Sequence, residues 1–151
     1  MADIDLTQGN TGAKLPNYMK SGVFQVVVDF AAALAEKGSA LAAADVLQIL
    51  TVPAGCVIEC ACLSPVTDYQ LDSTTAVLDL GDDSNDDLFV DGFDGTATTE
   101  GVPIMTVEKF YPAADTLDIT IQAMTGTLTT GKVLVSARIF ELTISDLNGT
   151  A

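Results

Sequence analysis

Histidine and tryptophan are absent from this chain, and only six of its 151 residues are basic. Without histidine the usual general base and the commonest metal ligand are both missing. Neither a Ser/His/Asp nor a Cys/His nucleophilic arrangement can then be built, and no GxxxxGK[S/T] phosphate-binding loop occurs. Acids that could form a glycosidase pair are plentiful, but that abundance singles out no pair, and few surfaces remain for stacking a sugar. The chain reads as a non-enzyme. Its cations are Lys14, Lys20, Lys37, Lys109, Lys132 and Arg138, set against 21 acids for a formal charge of −15. Such a chain repels phosphate, which excludes a nucleic-acid partner and disfavours an anionic membrane. No apolar run approaches the length of a bilayer span. The opening Met1-Ala2-Asp3-Ile4-Asp5 is acidic and does not have the basic-then-apolar order of a signal peptide. A soluble protein synthesised in a cytoplasm is expected.

The three cysteines fall within Cys56-Val57-Ile58-Glu59-Cys60-Ala61-Cys62. An odd number in one short segment is no disulfide framework, and zinc would find no imidazole to complete a ligand set. On a strand, Cys56, Ile58, Cys60 and Cys62 would share one face, so they read as small buried hydrophobes with reduced thiols.

What the chain does contain is an apolar fraction of 48%, enough to exclude a disordered acidic tail and to fill the core of a single domain. Residues 1–22 are interrupted by Gly, Asn, Thr and Pro and are expected as an extended N-terminal arm, neither strand nor helix. From Val23 the pattern has period two, with Phe24, Val26, Val28 and Phe30 on one apolar face. Ala31 to Ala44 is alanine-rich and fits either a short helix over 31–37 or an extended stretch and loop. Further strands are expected over Asp45–Leu50, Cys56–Val66, Thr75–Leu80, Leu88–Val90, Leu117–Ala123 and Lys132–Ile144, with a turn at Val52-Pro53-Ala54-Gly55. About eight strands, with turn signals about every ten residues and no βαβ rhythm, predict an all-β antiparallel sandwich or barrel. The domain is placed at residues 23–145, with a C-terminal tail at 146–151.

Asp79, Asp82, Asp83, Asn85, Asp86, Asp87, Asp91 and Asp94 lie close together in sequence. Calcium takes several oxygens from a flexible loop, so Asp79, Asp82, Asp83 and Asp87 are the candidate metal ligands. An EF-hand is rejected, because Leu88 occupies its glycine position and strands flank it. The bland alternative is a set of turn aspartates that bond their own backbone. No cofactor is required by any motif.

Several phrases together resemble a known group. They are Ala43-Ala44-Asp45-Val46-Leu47-Gln48-Ile49-Leu50, Val52-Pro53-Ala54-Gly55, Ala76-Val77-Leu78-Asp79-Leu80-Gly81-Asp82, Leu88-Phe89-Val90-Asp91-Gly92, Tyr111-Pro112-Ala113-Ala114-Asp115-Thr116-Leu117-Asp118-Ile119-Thr120 and Gly131-Lys132-Val133. Between Val23 and Ile144 the chain resembles small structural proteins of tailed bacteriophages, especially capsid decoration (cement) proteins and related head-fibre or knob domains. The resemblance implies a jelly-roll-like fold, often a homotrimer, on the exterior of a virion capsid and in contact with the major capsid protein. Leu15, Tyr18 and Met19 of the arm are then the candidate capsid contacts. The alternative function is a head-fibre or tail-associated adhesin module that binds host glycans, with calcium at the Asp-rich segment.

Overall fold

Alternating apolar residues build two sheets. The computed structural model describes residues 3–5, 21–98 and 107–142. Its strands are β1 (Asp3–Asp5), β2 (Ser21–Asp29), β3 (Val46–Val52), β4 (Cys56–Pro65) and β5 (Thr75–Asp82). They continue with β6 (Asn85–Asp94), β7 (Lys109–Tyr111), β8 (Asp115–Thr125) and β9 (Lys132–Glu141). One sheet runs β1-β3-β8-β5-β6 and the other β2-β9-β4-β7. Leaving β1 aside, the first strand pairs with the last, the second with the last but one, and so inward to the β5–β6 hairpin. That pairing is what results when one long antiparallel hairpin is rolled up, as in a jelly-roll-like fold.

One face of each sheet contributes to a shared core. Leu47, Leu78, Leu80, Leu117, Ile119 and Ile121 come from the five-stranded sheet, and Val26, Val28, Ile58, Leu63, Val135 and Ile139 from the four-stranded one. All are buried, so the period-two pattern marks the core side of β2, β8 and β9 as the sequence predicts.

Three features depart from the sequence reading. Asp3–Asp5, expected within an irregular arm, is a strand, and it runs parallel to β3, which makes the sheet mixed instead of purely antiparallel. Its Ile4 is buried in the core, and this anchors so short an edge strand; Ser21 and Gly22, also assigned to the arm, already pair with β9. Second, the alanine-rich stretch takes the helical one of its two alternatives, with Phe30–Lys37 forming α1, so Phe30 leaves the strand it was read into and the fold is mostly β and not strictly all-β. The Asp29 carboxylate caps its start by accepting from the Ala31 N–H, and Gly38 ends it at φ 69, the left-handed conformation that glycine adopts without steric cost. Third, the pairing of β4 with β9 shifts between Ile58 and Cys60. An extra residue there moves every later side chain to the other face. Cys56 is buried with Ile58, whereas Cys60 and Cys62 are only half-buried and turn outward opposite Arg138 and Ser136. Burial, with the Glu141 charge adding to it, pushes the Cys56 thiol up.

Candidate interaction surfaces

The side of each sheet away from the core differs in character. On the four-stranded sheet the outward rows are Val23–Arg138–Cys60, Gln25–Ser136–Cys62 and Val27–Leu134–Ser64, with Phe140, Val57 and Phe110 forming another. Val23 is 67%, Val27 45% and Phe110 44% exposed. The Arg138 guanidinium is neutralised by Glu59 at 3.0 Å, and the Gln25 amide donates to the Ser136 hydroxyl at 3.3 Å. A cleft of about 510 Å³ opens here between Gly22, Val23, Glu59, Glu108, Arg138 and Phe140. Val23, Val27 and Phe110 are exposed on this face, set around the Arg138–Glu59 ion pair and the Gln25–Ser136 row. Exposed apolar side chains grouped on one face of a sheet are a candidate interaction surface.

The five-stranded sheet carries carboxylates on its outward side. Asp3, Val46, Thr120 and Asp79 form one row, and Gln48, Asp118 and Gly81 the next. Asp79, Asp118 and Thr120 are nevertheless buried. The start of β6 provides cover, because a Cβ on Gly81 would come within 2.0 Å of the Asn85 carbonyl oxygen and 2.6 Å of that of Asp86. Position 81 therefore admits only glycine. The returning chain arches over the strand and leaves a cleft of about 410 Å³ beside it, lined by Asp3, Asp83, Ser84, Asp86, Asp118 and Thr120 among others.

The candidate metal ligands do not converge. Asp79 faces outward and accepts the Gly92 N–H at 2.8 Å; burial raises its pKa, and the charges of Asp91, Asp86 and Asp87 add to that. Asp82 lies on the core side and bridges the sheets, accepting from Lys109 Nζ at 2.6 Å and the Tyr111 hydroxyl at 2.8 Å. Ser84 contributes its backbone N–H and its hydroxyl to the same carboxylate. Burial works against the Asp82 charge, but these donors outweigh it and bring the carboxyl down to about 2. The same pairing, together with burial, pushes the Tyr111 hydroxyl up. Asp83 is exposed at the turn, and Asp87 is half-buried in β6. Among the described residues no group of three or more Cys, Asp or Glu is arranged to hold a metal ion. Leu15, Tyr18 and Met19 lie outside the described residues.

Sequence reasoning missed Asp118 and Thr120, which alternate with Leu117, Ile119 and Ile121 and read as the solvated half of a strand. It also missed Lys109 and Tyr111, which form only a three-residue strand. Each described cation has an acidic partner: Lys37 with Asp45, Lys109 with Asp82, Lys132 with Asp29 and Arg138 with Glu59. Among the described residues no helix is long and apolar enough to cross a membrane.

The fold occurs in phage capsids. A chain from the "Capsid of Ralstonia phage GP4" matches with a TM-score of 0.58 and 17% identity, covering 93% of this chain and 99% of that one. A chain from the "Cyanophage Pam1 capsid asymmetric unit" matches at 0.59 and 15%, covering 90% and 96%. At such identities the likeness is one of fold. No protein-family model matches the sequence, and no curated protein matches it either.

Proposed function

We propose that this chain is a virion structural protein without catalytic function, a capsid decoration (cement) protein that binds the outside of an icosahedral phage head. In this reading the two sheets pack as a jelly-roll sandwich and the protein acts as a homotrimer that ties neighbouring shell subunits together. The observation that carries the reading is the match of nearly the whole chain to nearly the whole of a chain in each of two phage capsids. Coverage is high on both sides, so the likeness extends over almost all of each matched chain.

The exposed face of the four-stranded sheet supports self-association. Copies that each carry −15 repel at most approaches. The rows through Val23, Val27 and Phe110 offer apolar contact, and the Arg138–Glu59 pair beside them is mutually neutralised, so this face is assigned to the neighbouring copy in the trimer. Leu15, Tyr18 and Met19 are assigned to the major capsid protein.

Quantitative mass spectrometry of gradient-purified particles from the phage encoding this chain tests the reading. A copy number comparable with that of the shell protein is expected. A sparse count would instead favour the head-fibre or tail-associated adhesin, and absence from particles would end the virion assignment. Light scattering of the free protein should give three times the 15.7 kDa chain mass; a monomer at micromolar concentration would remove the trimer.

A further inference from the structure

The cleft under the β5–β6 hairpin contains two buried oxygen atoms that nothing in the described structure satisfies. Asp118 is 2% exposed and Thr120 7%, yet Asp118 Oδ1 and Thr120 Oγ1 have no hydrogen-bond partner. A buried acceptor left unpaired is costly and calls for an explanation. Both residues line the same cleft of about 410 Å³, whose lining includes Asp3, Asp82, Asp83 and Asp86 but no lysine or arginine. Of these acids Asp82 is already engaged by Lys109 and Tyr111, while Asp3, Asp83 and Asp86 are exposed around the opening. The site thus has unused acceptors at its floor and negative charge at its rim.

Two classes of cation fit such a lining, and the geometry separates them. A metal ion needs its oxygens gathered into one small sphere, and among the described residues no group of three acids is so gathered. An arginine side chain needs acceptors spread along a channel, because its planar guanidinium presents five donors at the end of a long apolar stem. We infer that the cleft receives an arginine side chain from a partner protein, with Asp118 Oδ1 and Thr120 Oγ1 accepting from the guanidinium and Asp3, Asp83 and Asp86 attracting it. The partner is a protein segment with an exposed, unpaired arginine, since every described cation of this chain has an acid of its own. The inference is independent of the virion reading, because it concerns only what the cleft binds.

The test uses the full-length protein and the peptide acetyl-Gly-Arg-Gly-amide, with the citrulline analogue as its uncharged counterpart and calcium chloride as a second probe. Backbone and carboxyl NMR shifts of Asp118 and Thr120 are followed during each titration. A saturable response to the arginine peptide, absent with citrulline, is expected. Asp118→Asn should weaken it about tenfold or more, the loss typical of a hydrogen bond between charged groups. Thr120→Val, which retains shape, should weaken it by a smaller factor and guards against the first variant failing to fold. Saturation by calcium without a response to arginine would overturn the inference in favour of a metal. No response to either probe would overturn it as well, leaving a polar cleft that binds neither.

Discussion

The two outward faces belong to sheets that share one core, yet they solve opposite problems. On the four-stranded sheet, residues between the core positions include Val23, Val27, Leu134 and Phe140, apolar groups that share the side away from the core with Gln25, Ser136 and Arg138. On the five-stranded sheet the equivalent positions are Asp79, Asp118 and Thr120, polar groups that the β6 backbone shields from water. One face exposes what is normally hidden and the other hides what is normally exposed. Each mismatch between side chain and surroundings has an energetic cost in the isolated chain, and each is relieved by a partner of the right kind. An apolar neighbour suits the first and a cation the second.

The sharpest way to break this contrast is to give the apolar face the character of the other. Val23→Ser combined with Val27→Asp should abolish trimer formation, weakening association by about 100-fold or more if each position is a hot spot of about 2 kcal/mol. Folding stability should change by no more than about 0.5 kcal/mol per site, as for most surface substitutions. Light scattering and thermal unfolding on one sample read both; a trimer that survives would show that the face is not the interface.

The acidic side depends on the turn that Lys109 and Tyr111 hold through Asp82. Lys109→Met removes the ion pair and leaves a buried carboxylate with only hydroxyl and amide donors, which should destabilise by about 3 kcal/mol. Urea unfolding would measure it. A loss near zero would mean that Tyr111 and Ser84 suffice to hold the turn.

A subtler distinction appears with pH. Burial pushes the Asp118 carboxyl up to about 7, with Asp83, Asp115 and Asp82 adding to the effect and a hydrogen bond from Thr116 opposing it. Between the usual carboxylate value of 3.8 and about 7 the folded chain keeps a proton that the unfolded chain has released. This contribution to stability is therefore present below that window and lost as pH rises through it. Asp82 runs the other way: its contribution is present above the usual carboxylate value and lost as pH falls toward about 2. Asp118→Asn should flatten the fall in melting temperature between about pH 4 and about pH 7 while leaving the Asp82-linked loss at lower pH unchanged. An unchanged slope would place the titration on another group. The smallest effect is expected from Thr120→Val, which removes an unpaired buried hydroxyl and should be neutral or stabilise by about 1 kcal/mol in the absence of a ligand. A clear destabilisation would reveal a partner for that oxygen.

Much of the architecture was legible in period-two runs. The core side of β2, β8 and β9 could be read because Val26 and Val28, Leu117 and Ile119, or Val133 and Val135 repeat at the spacing of a pleated strand. Less visible was anything requiring a second segment to define it. The bulge after Ile58 turns Cys60 outward only through its register with Arg138, and β1 becomes a strand only because β3 offers it an edge. The Asp-rich stretch looked like a loop, but Asn85–Asp94 is a strand bent back over Gly81.

Composition alone determined that no histidine-dependent chemistry can be built here and that acids outnumber bases by 21 to six. Local alternation determined that the chain folds as strands with one apolar side. Tertiary structure decided which side of each strand faces the core, which acid meets a lysine and which is left without one. Asp79, Asp82 and Asp118 are chemically identical in the sequence. They became a backbone acceptor, an inter-sheet bridge and a carboxyl with one unpartnered oxygen because register and the hairpin overhang give each a different set of neighbours.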